Sequence, residues 1–97
     1  MEQLLNDINI ILKREYSSKN PSLILDITES SNYVIGKINL LYNNNAVRLE
    51  HNILSVRIYG SDIKLLKQHL EQTIRFEFLN SLLFSVGELN IKNILSK

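Results

Sequence analysis

The fold of this chain is decided by residues 22–59, which read SLILDITESSNYVIGKINLLYNNNAVRLEHNILSVRIY. At the start of this stretch Leu23, Leu25 and Ile27 recur at every second position, and Asp26 lies between the last two. Successive side chains of a β-strand point to opposite faces, so a period of two indicates a strand with one buried and one wet face. We therefore expect a β-sheet at the centre of the molecule.

Two polar segments divide this stretch into three strands. Residues 29–32 are polar, and asparagines 43–45 tolerate the positive φ that tight turns require, so both segments predict turns. The second strand then covers residues 33–42, which are rich in β-branched, aromatic and leucine side chains. The third strand begins near Ala46. Turns this short join neighbouring antiparallel strands.

The third strand contains a break in its alternation. Leu49 belongs to one phase of the apolar pattern and Leu54 belongs to the opposite phase. Continuing in register would turn the apolar side chains to water, so the slip around residues 50–53 requires a bulge or a turn. We expect the irregularity at His51 and Asn52.

An amphipathic helix precedes the strands over residues 2–16. Glu2 lies near its start, and Lys13 and Arg14 lie near its end, which matches the helix dipole. Asn20 precedes a proline and is pushed away from helical dihedrals, so the helix ends before it. The apolar stripe of this helix consists of Leu4, Leu5, Ile8, Ile11 and Leu12, at spacings typical of one helix face.

A second helix follows the strands and is expected to end near Gln72. Ser61 or Asp62 is suited to cap its first turn. Gly60 before them also resembles part of a phosphate-binding loop, but a single glycine beside the Asp62 carboxylate favours a helix cap. The apolar stripe of this helix consists of Ile63, Leu66 and Leu70.

The segment 73–79 fits two structures. Ile74, Phe76 and Phe78 alternate with charged residues as a strand would, but the same residues also fit a continuation of the second helix. We favour a strand, which would form a C-terminal β-hairpin with residues 82–86. Phe76 and Phe78 on such a hairpin would face partly outward and invite pairing with another chain.

The order of these elements predicts the fold class. A helix, antiparallel strands, a second helix and a C-terminal hairpin make an α+β fold, with both helices packed on one face of the sheet. The 97 residues, of which 44% are hydrophobic, can fill one core. We therefore expect a single domain over residues 1–97.

The amino-acid composition indicates where in the cell the protein works. The chain has no Cys, and small secreted domains often depend on disulfides, so we expect a reducing, cytoplasmic location. The first residues do not resemble a signal peptide, and no apolar run approaches the roughly 20 residues that span a bilayer, so we expect a soluble protein with no membrane partner. Abundant Ile, Leu, Asn and Lys are typical of an A+T-rich bacterial or phage genome.

Little of the side-chain chemistry of enzymes is present. The chain has two His, and no set of His and carboxylate side chains has the spacing of a metal site, so we expect no metal and no cofactor. One catalytic arrangement is worth testing, in which Asp26 or Glu50 orients His51 as a general base. A solvated turn histidine explains the same residue, and we expect no enzymatic activity.

The strands instead offer a surface for binding. Their water-facing positions carry a mixture of charged, amide and aromatic side chains, which suits a protein partner better than a small molecule. The predicted protein-binding residues are Lys37, Arg48, Glu50, Arg57 and Tyr59 on the strands, together with Phe76 and Phe78 on the hairpin.

These features favour a small module that binds another protein, such as an inhibitor, an immunity protein, an antitoxin or a phage-encoded antagonist. A secretion or assembly chaperone is an alternative, because dimerisation through exposed strands suits that role. A sheet that binds single-stranded nucleic acid is another, and it would use Arg48, Arg57 and Tyr59 together with Lys37. A net charge of +1 argues against nucleic acid. We expect a protein partner, and a homodimer is one form of it.

Overall fold

The computed structural model describes residues 1–80, 85–86 and 89–90, and it describes the side chains of residues 1–76. The described elements follow one another in the predicted order of helix, three strands and helix. They are α1 (Glu2–Glu15), a 3-10 turn (Ser17–Lys19), β1 (Ser22–Glu29), β2 (Tyr33–Asn44), β3 (Val47–Tyr59), α2 (Ile63–Asn80), β4 (Ser85–Val86) and β5 (Leu89–Asn90).

The sheet is an antiparallel meander with β2 at its centre. The strand order is β1-β2-β3, and both pairings are antiparallel. Helix α1 packs against β1, and α2 packs against β2 and β3. The buried stripes of both helices belong to one hydrophobic cluster with one face of β2, so both helices lie on the same side of the sheet. The predicted α+β arrangement, with helices on one face, is confirmed for these elements.

The core lies between the two helices and this face of the sheet, which we call the core face. Every second residue of β2 from Val34 to Tyr42 is buried there. Its buried apolar side chains are Leu5, Ile8 and Leu12 from α1; Leu66, Leu70 and Ile74 from α2; and Leu23, Val34, Ile38, Leu40, Tyr42 and Ile53 from the strands.

Helix α1 ends where the sequence predicts. The 3-10 turn follows it directly, and Asn20 takes a left-handed conformation with φ of 44° before the buried Pro21. The Asn9 side chain then fixes α1 to the sheet, because its Oδ1 accepts a bond from the Leu23 N–H at 2.7 Å and its Nδ2 donates to the Leu23 C=O at 3.0 Å. One amide therefore satisfies both backbone groups of Leu23.

The hairpin turn and the bulge also lie close to their predicted positions. Asn45 has φ of 57° and opens the two-residue connection between β2 and β3. The register then passes from Asn39 opposite Asn52 to Ile38 opposite Leu54, which leaves Ile53 as an extra residue. The bulge is confirmed, one residue beyond the predicted His51 and Asn52, and it keeps the apolar side chains of both halves of β3 on the core face.

Helix α2 begins at the predicted cap. Asp62 Oδ1 accepts a bond from the Leu65 N–H at 3.0 Å, which satisfies a donor of the first turn. The helix passes so close to β2 that a Cβ added to Gly36 would lie 2.5 Å from Leu70 Cδ1 and 3.2 Å from Leu66 Cδ2. Glycine at position 36 therefore allows α2 to approach the sheet.

The predicted strand over residues 73–79 is wrong, because α2 continues to Asn80. Ile74 is buried four residues after Leu70, so the helix extends its apolar stripe into the core. The Arg75 guanidinium also bonds to the Glu71 carboxylate, one turn earlier, at 3.1 Å. Burial of Ile74 outweighs the short alternation that suggested a strand.

The predicted C-terminal β-hairpin is not formed as drawn, because its first arm belongs to α2. The described part of the C-terminus contains a two-residue antiparallel pairing, in which Ser85 lies opposite Asn90 and Val86 opposite Leu89. The remainder of that prediction falls on residues 81–84, 87–88 and 91–97, outside the described residues.

Candidate protein-binding face

We call the side of the sheet opposite the helices the open face. Alternation along each strand and the pairing register together place sixteen side chains on it. They are Ser22, Ile24, Asp26 and Thr28 from β1; Tyr33, Ile35, Lys37, Asn39, Leu41 and Asn43 from β2; and Arg48, Glu50, Asn52, Ser55, Arg57 and Tyr59 from β3.

A hydrogen-bonded polar network occupies the middle of the open face, above the bulge. Asn52 Nδ2 donates to Asn39 Oδ1 at 2.9 Å and to the Leu54 C=O at 3.2 Å. Asn39 Nδ2 donates to Glu50 Oε1 at 3.1 Å, and Ser55 Oγ donates to Asn52 Oδ1 at 3.1 Å. The network holds these side chains in one arrangement and satisfies a carbonyl at the bulge.

An aromatic and cationic corner lies at one end of the open face. Tyr33 on β2 lies opposite Tyr59 on β3, whose side chain is 76% exposed. The Arg57 guanidinium lies 4.9 Å from the centroid of the Tyr33 ring, which is within range of a cation–π contact. Ile35 lies opposite Arg57 and is half-buried. This corner combines the side chains that protein interfaces favour most.

The other end of the open face is polar and anchored. Arg48 Nη1 donates to the Asn20 C=O at 2.8 Å and to Asn43 Oδ1 at 3.0 Å, which ties β3 to the segment that precedes β1. Between the two ends, Asp26 on β1 lies directly opposite Lys37 on β2. Charges of both signs therefore share the face, and its basic residues are spread along it.

The structure places five of the seven predicted binding residues on this face. Lys37, Arg48, Glu50, Arg57 and Tyr59 all lie there and are exposed. The prediction omitted the side chains of Tyr33 and Asn52, although their place in the alternation and beside the phase slip was a signal for both.

Phe76 does not join this group. It lies on α2 with 61% of its side chain exposed, on the helical side of the molecule. Phe78 lies in the same helix, and its side chain falls outside the described residues. The outward-facing aromatic hairpin that would have presented these two residues is therefore replaced by a helix.

The structure also separates the members of the proposed general-base site. The His51 ring stacks on the Tyr42 ring, with centroids 5.6 Å apart, and its Nε2 lies 3.4 Å from the Tyr42 hydroxyl. His51 lies opposite Leu40, on the core-face side of β3 at the edge of the sheet. Asp26 and Glu50 lie on the open face, so neither carboxylate orients the imidazole.

A shallow cleft of about 420 Å³ lies on the helical side, where the start of α1 meets α2. Several of its charged groups pair across the helices. Lys67 Nζ lies 2.7 Å from Glu2 Oε1, and the Glu71 carboxylate bonds both to the amino group of Met1 and to Arg75. The cleft therefore joins the helices through ion pairs.

These ion pairs lower two pKa values. The hydrogen bond from Lys67 is the main cause for Glu2, and the hydrogen bond from Arg75 is the main cause for Glu71, followed by the bond from the amino group of Met1. Both side chains therefore hold their charge below the pH at which a free glutamate takes up a proton.

Two further searches cover the described part of the chain. No group of three or more His, Asp or Glu side chains there is arranged to hold a metal ion. Within the same residues, neither helix combines the length and apolar character needed to cross a membrane.

Comparison of this chain with protein-family models, with curated proteins and with solved structures finds no match. Functional inference therefore depends on the geometry of the open face.

Proposed function

We propose that this chain is a protein-binding module whose open face docks on another protein. The observation that carries the proposal is the make-up of this face, in which a bonded polar network lies beside the exposed Tyr59, Arg57 and the half-buried Ile35. Protein interfaces combine aromatic and arginine anchors with hydrogen-bonding groups. Small-molecule sites are typically concave and mostly apolar, unlike a sheet face.

Preorganisation supports the same proposal. A partner that bonds to Asn39, Asn52 or Glu50 meets side chains that are already held by one another. Arg57 is likewise stacked on Tyr33. Ordering flexible side chains at an interface costs about 0.5–1.5 kcal/mol each, so a face that is ordered in advance loses less of its binding free energy.

Among proteins that act by binding, we favour an inhibitor, an immunity protein, an antitoxin or a phage-encoded antagonist. These roles require a stable scaffold and a shaped surface, and they need no reacting group. A secretion or assembly chaperone would also use an exposed sheet, but it would hold its client along an extended segment.

A single-stranded nucleic acid is the second candidate, and the corner formed by Tyr33, Arg57 and Tyr59 favours it. Exposed aromatic rings beside a guanidinium can stack bases. Asp26 and Glu50 on the same face would repel phosphates, so we rank this function below protein binding.

The test compares two double variants in affinity capture from a lysate of the native host. The first carries Ile35→Thr and Lys37→Ser on the open face. The second is a matched control that carries Ile10→Thr and Lys13→Ser on the outer surface of α1, where Ile10 is 56% exposed. Both remove one isoleucine and one positive charge, so the net charge and composition of the two variants match although Ile35 is half-buried and Ile10 is exposed.

We expect the wild type and the α1 variant to capture the same protein in a fixed ratio, and the open-face variant to bind it at least tenfold more weakly. Equal capture by all three proteins would contradict the proposal. Capture that is abolished by nuclease, and that falls steeply between about 50 and 200 mM salt, would instead support the nucleic-acid function.

A further inference from the structure

The two edge strands of the sheet, β1 and β3, differ in what contacts the backbone groups on their outer edges. The Asn9 side chain of α1 occupies both the N–H and the C=O of Leu23 on β1. Among residues 1–80, 85–86 and 89–90, β3 pairs with β2 alone, and the short β4–β5 pair forms a separate sheet. An unpaired strand edge is a template for another strand.

The Asn9 contacts also fix which residues of β3 point their backbone groups outward. Because both groups of Leu23 face away from β2, its partner Leu40 directs its own groups towards β3 and bonds with His51. Glu50 and Asn52, on either side of His51, therefore point their N–H and C=O groups to the outer edge.

The same reasoning applies beyond the bulge. Ile38 lies two residues before Leu40, so it also bonds towards β3, where its partner is Leu54. Ser55 and Arg57 therefore direct their backbone groups outward. The outer edge of β3 thus presents two sets of outward-pointing N–H and C=O groups, one on each side of the bulge.

We propose that β3 pairs antiparallel with β3 of a second copy of this chain, about a twofold axis at the bulge. In this register Glu50 lies opposite Arg57 of the second copy, and the twofold axis repeats that pair. The remaining pairs follow in order. Arg48 lies opposite Tyr59, Leu49 opposite Ile58, His51 opposite Val56, Asn52 opposite Ser55 and Ile53 opposite Leu54.

Every pair outside the bulge matches in backbone direction and in face, two properties that go together on β3, and the charges of Glu50 and Arg57 attract. Residues that point their backbone groups outward meet one another, as Asn52 and Ser55 do. Open-face residues meet open-face residues, and core-face residues meet core-face residues. Charges of opposite sign face each other at Glu50 and Arg57, which are both exposed.

Neighbouring registers fail in at least one of these matches. A shift by one residue sets Leu49 opposite Arg57, which lie on different faces. A shift by two residues brings Arg48 opposite Arg57, so like charges meet. The opposite shift by two residues sets Leu54 against Ser55, which again lie on different faces. The bulge and the charges of Arg48, Glu50 and Arg57 therefore together favour this register over its neighbours.

Burial along β3 supports the same pairing. Leu49, Val56 and Ile58 are only half-buried, whereas their core-face counterparts on β2 are buried. The second copy would set Ile58 beside Leu49 and so remove apolar surface from water. The product is a six-stranded sheet with one continuous open face.

Disulfide trapping tests the register, because the natural chain has no Cys. A variant with Glu50→Cys and Arg57→Cys should form a covalent dimer under mild oxidation. These two positions lie about 20 Å apart within one strand, so they can bond only between copies, where opposite Cα atoms are about 5.5 Å apart. Variants with one cysteine alone should form no covalent dimer, because each position lies far from the same position in the second copy.

Light scattering and a charge exchange provide the second test. The wild type should dimerise with rising concentration. Arg57→Glu should weaken the dimer about tenfold or more, because two pairs become repulsive, and Arg57→Glu combined with Glu50→Arg should restore it. Circular dichroism checks that each variant is folded.

A wild type that is monomeric at all concentrations, or a double-cysteine variant that crosslinks no more than the single variants, would overturn the proposal.

Discussion

Side chains alternate along β2 between two faces whose environments are opposite, since one face is buried and the other is exposed to solvent. On the core face, Val34, Ile38 and Leu40 are buried beneath two helices, and position 36 has no room for a side chain. On the open face, Ile35 is half-buried and Lys37 is exposed. One face is therefore fixed by packing, whereas the other is largely open to solvent. We infer that stability resides mainly on the first face and binding on the second.

Leu40 and Leu41 are adjacent but lie on opposite faces of β2, and replacing each should give the largest difference in stability between the faces. Leu40 is 0% exposed in the core, and Leu41 is half-buried on the open face. Leu40→Ala should lower the free energy of unfolding by about 2–5 kcal/mol, because it leaves a cavity. Leu41→Ala should cost about 1 kcal/mol or less, because only part of its side chain leaves water on folding. Urea titration of both variants measures the difference, and equal losses would show that the open face is also packed.

Replacing Gly36, where α2 contacts the sheet, should have a smaller effect on stability. Gly36→Ala should cost about 1–3 kcal/mol, because its methyl group would press on Leu70. The low end is expected, since the contacting Cδ1 is the tip of a flexible side chain. Combining Gly36→Ala with Leu70→Ala should cost less than the sum of the two single losses in a double-mutant cycle. Strict additivity would contradict the close approach.

The ion pairs between the helices should give the smallest effect. Lys67 lowers the pKa of Glu2, and Arg75 lowers that of Glu71. Because these pKa values are lower in the folded state, the pairs stabilise the protein above the usual glutamate value of 4.5, and this contribution is lost as pH falls through the lowered values. The loss should be smaller than that of either core variant, because both carboxylates are solvated.

Thermal unfolding between pH 7 and pH 3 tests this expectation. A variant with Glu2→Gln and Glu71→Gln should lose less stability on acidification than the wild type does. The matched variant with Glu15→Gln and Glu29→Gln removes the same charge elsewhere on the surface, so it isolates the effect of net charge. Identical pH profiles for the wild type and the first variant would contradict a stabilising role for the ion pairs.

Much of the fold could be predicted because its local signals agree with its packing. The period of two in β1 and the β-branched, aromatic and leucine content of β2 predicted these strands, and the phase slip in β3 predicted a bulge. The Asp62 cap was likewise visible in the sequence. In each case the chemistry of a few neighbouring residues determines the local structure.

The second helix shows where this reasoning fails. Residues 73–79 alternate as a strand would over one short stretch, but Leu66, Leu70 and Ile74 also recur every four residues. The four-residue spacing prevails because it buries Ile74 against the core. Choosing between the patterns requires knowing where the core lies, which is a tertiary property.

The open face was predictable in part for the same reason. Alternation alone places Lys37 and Arg57 away from the helices. The stacking of Arg57 on Tyr33 and the bonds among Asn39, Asn52 and Glu50 depend on strand register, which joins residues that are distant in sequence. Periodicity within one strand carries no information about which residues on its neighbour it faces.

Lysine footprinting of the protein, alone and bound to its captured partner, tests the central claim most directly. Lys37 lies on the open face, whereas Lys13 and Lys64 lie on the helices, and all three are exposed. Acetylation followed by mass spectrometry should show Lys37 protected in the complex, with Lys13 and Lys64 as reactive as in the free protein. Protection of Lys13 or Lys64 with Lys37 unchanged would contradict the account, because the partner would then bind the helical side.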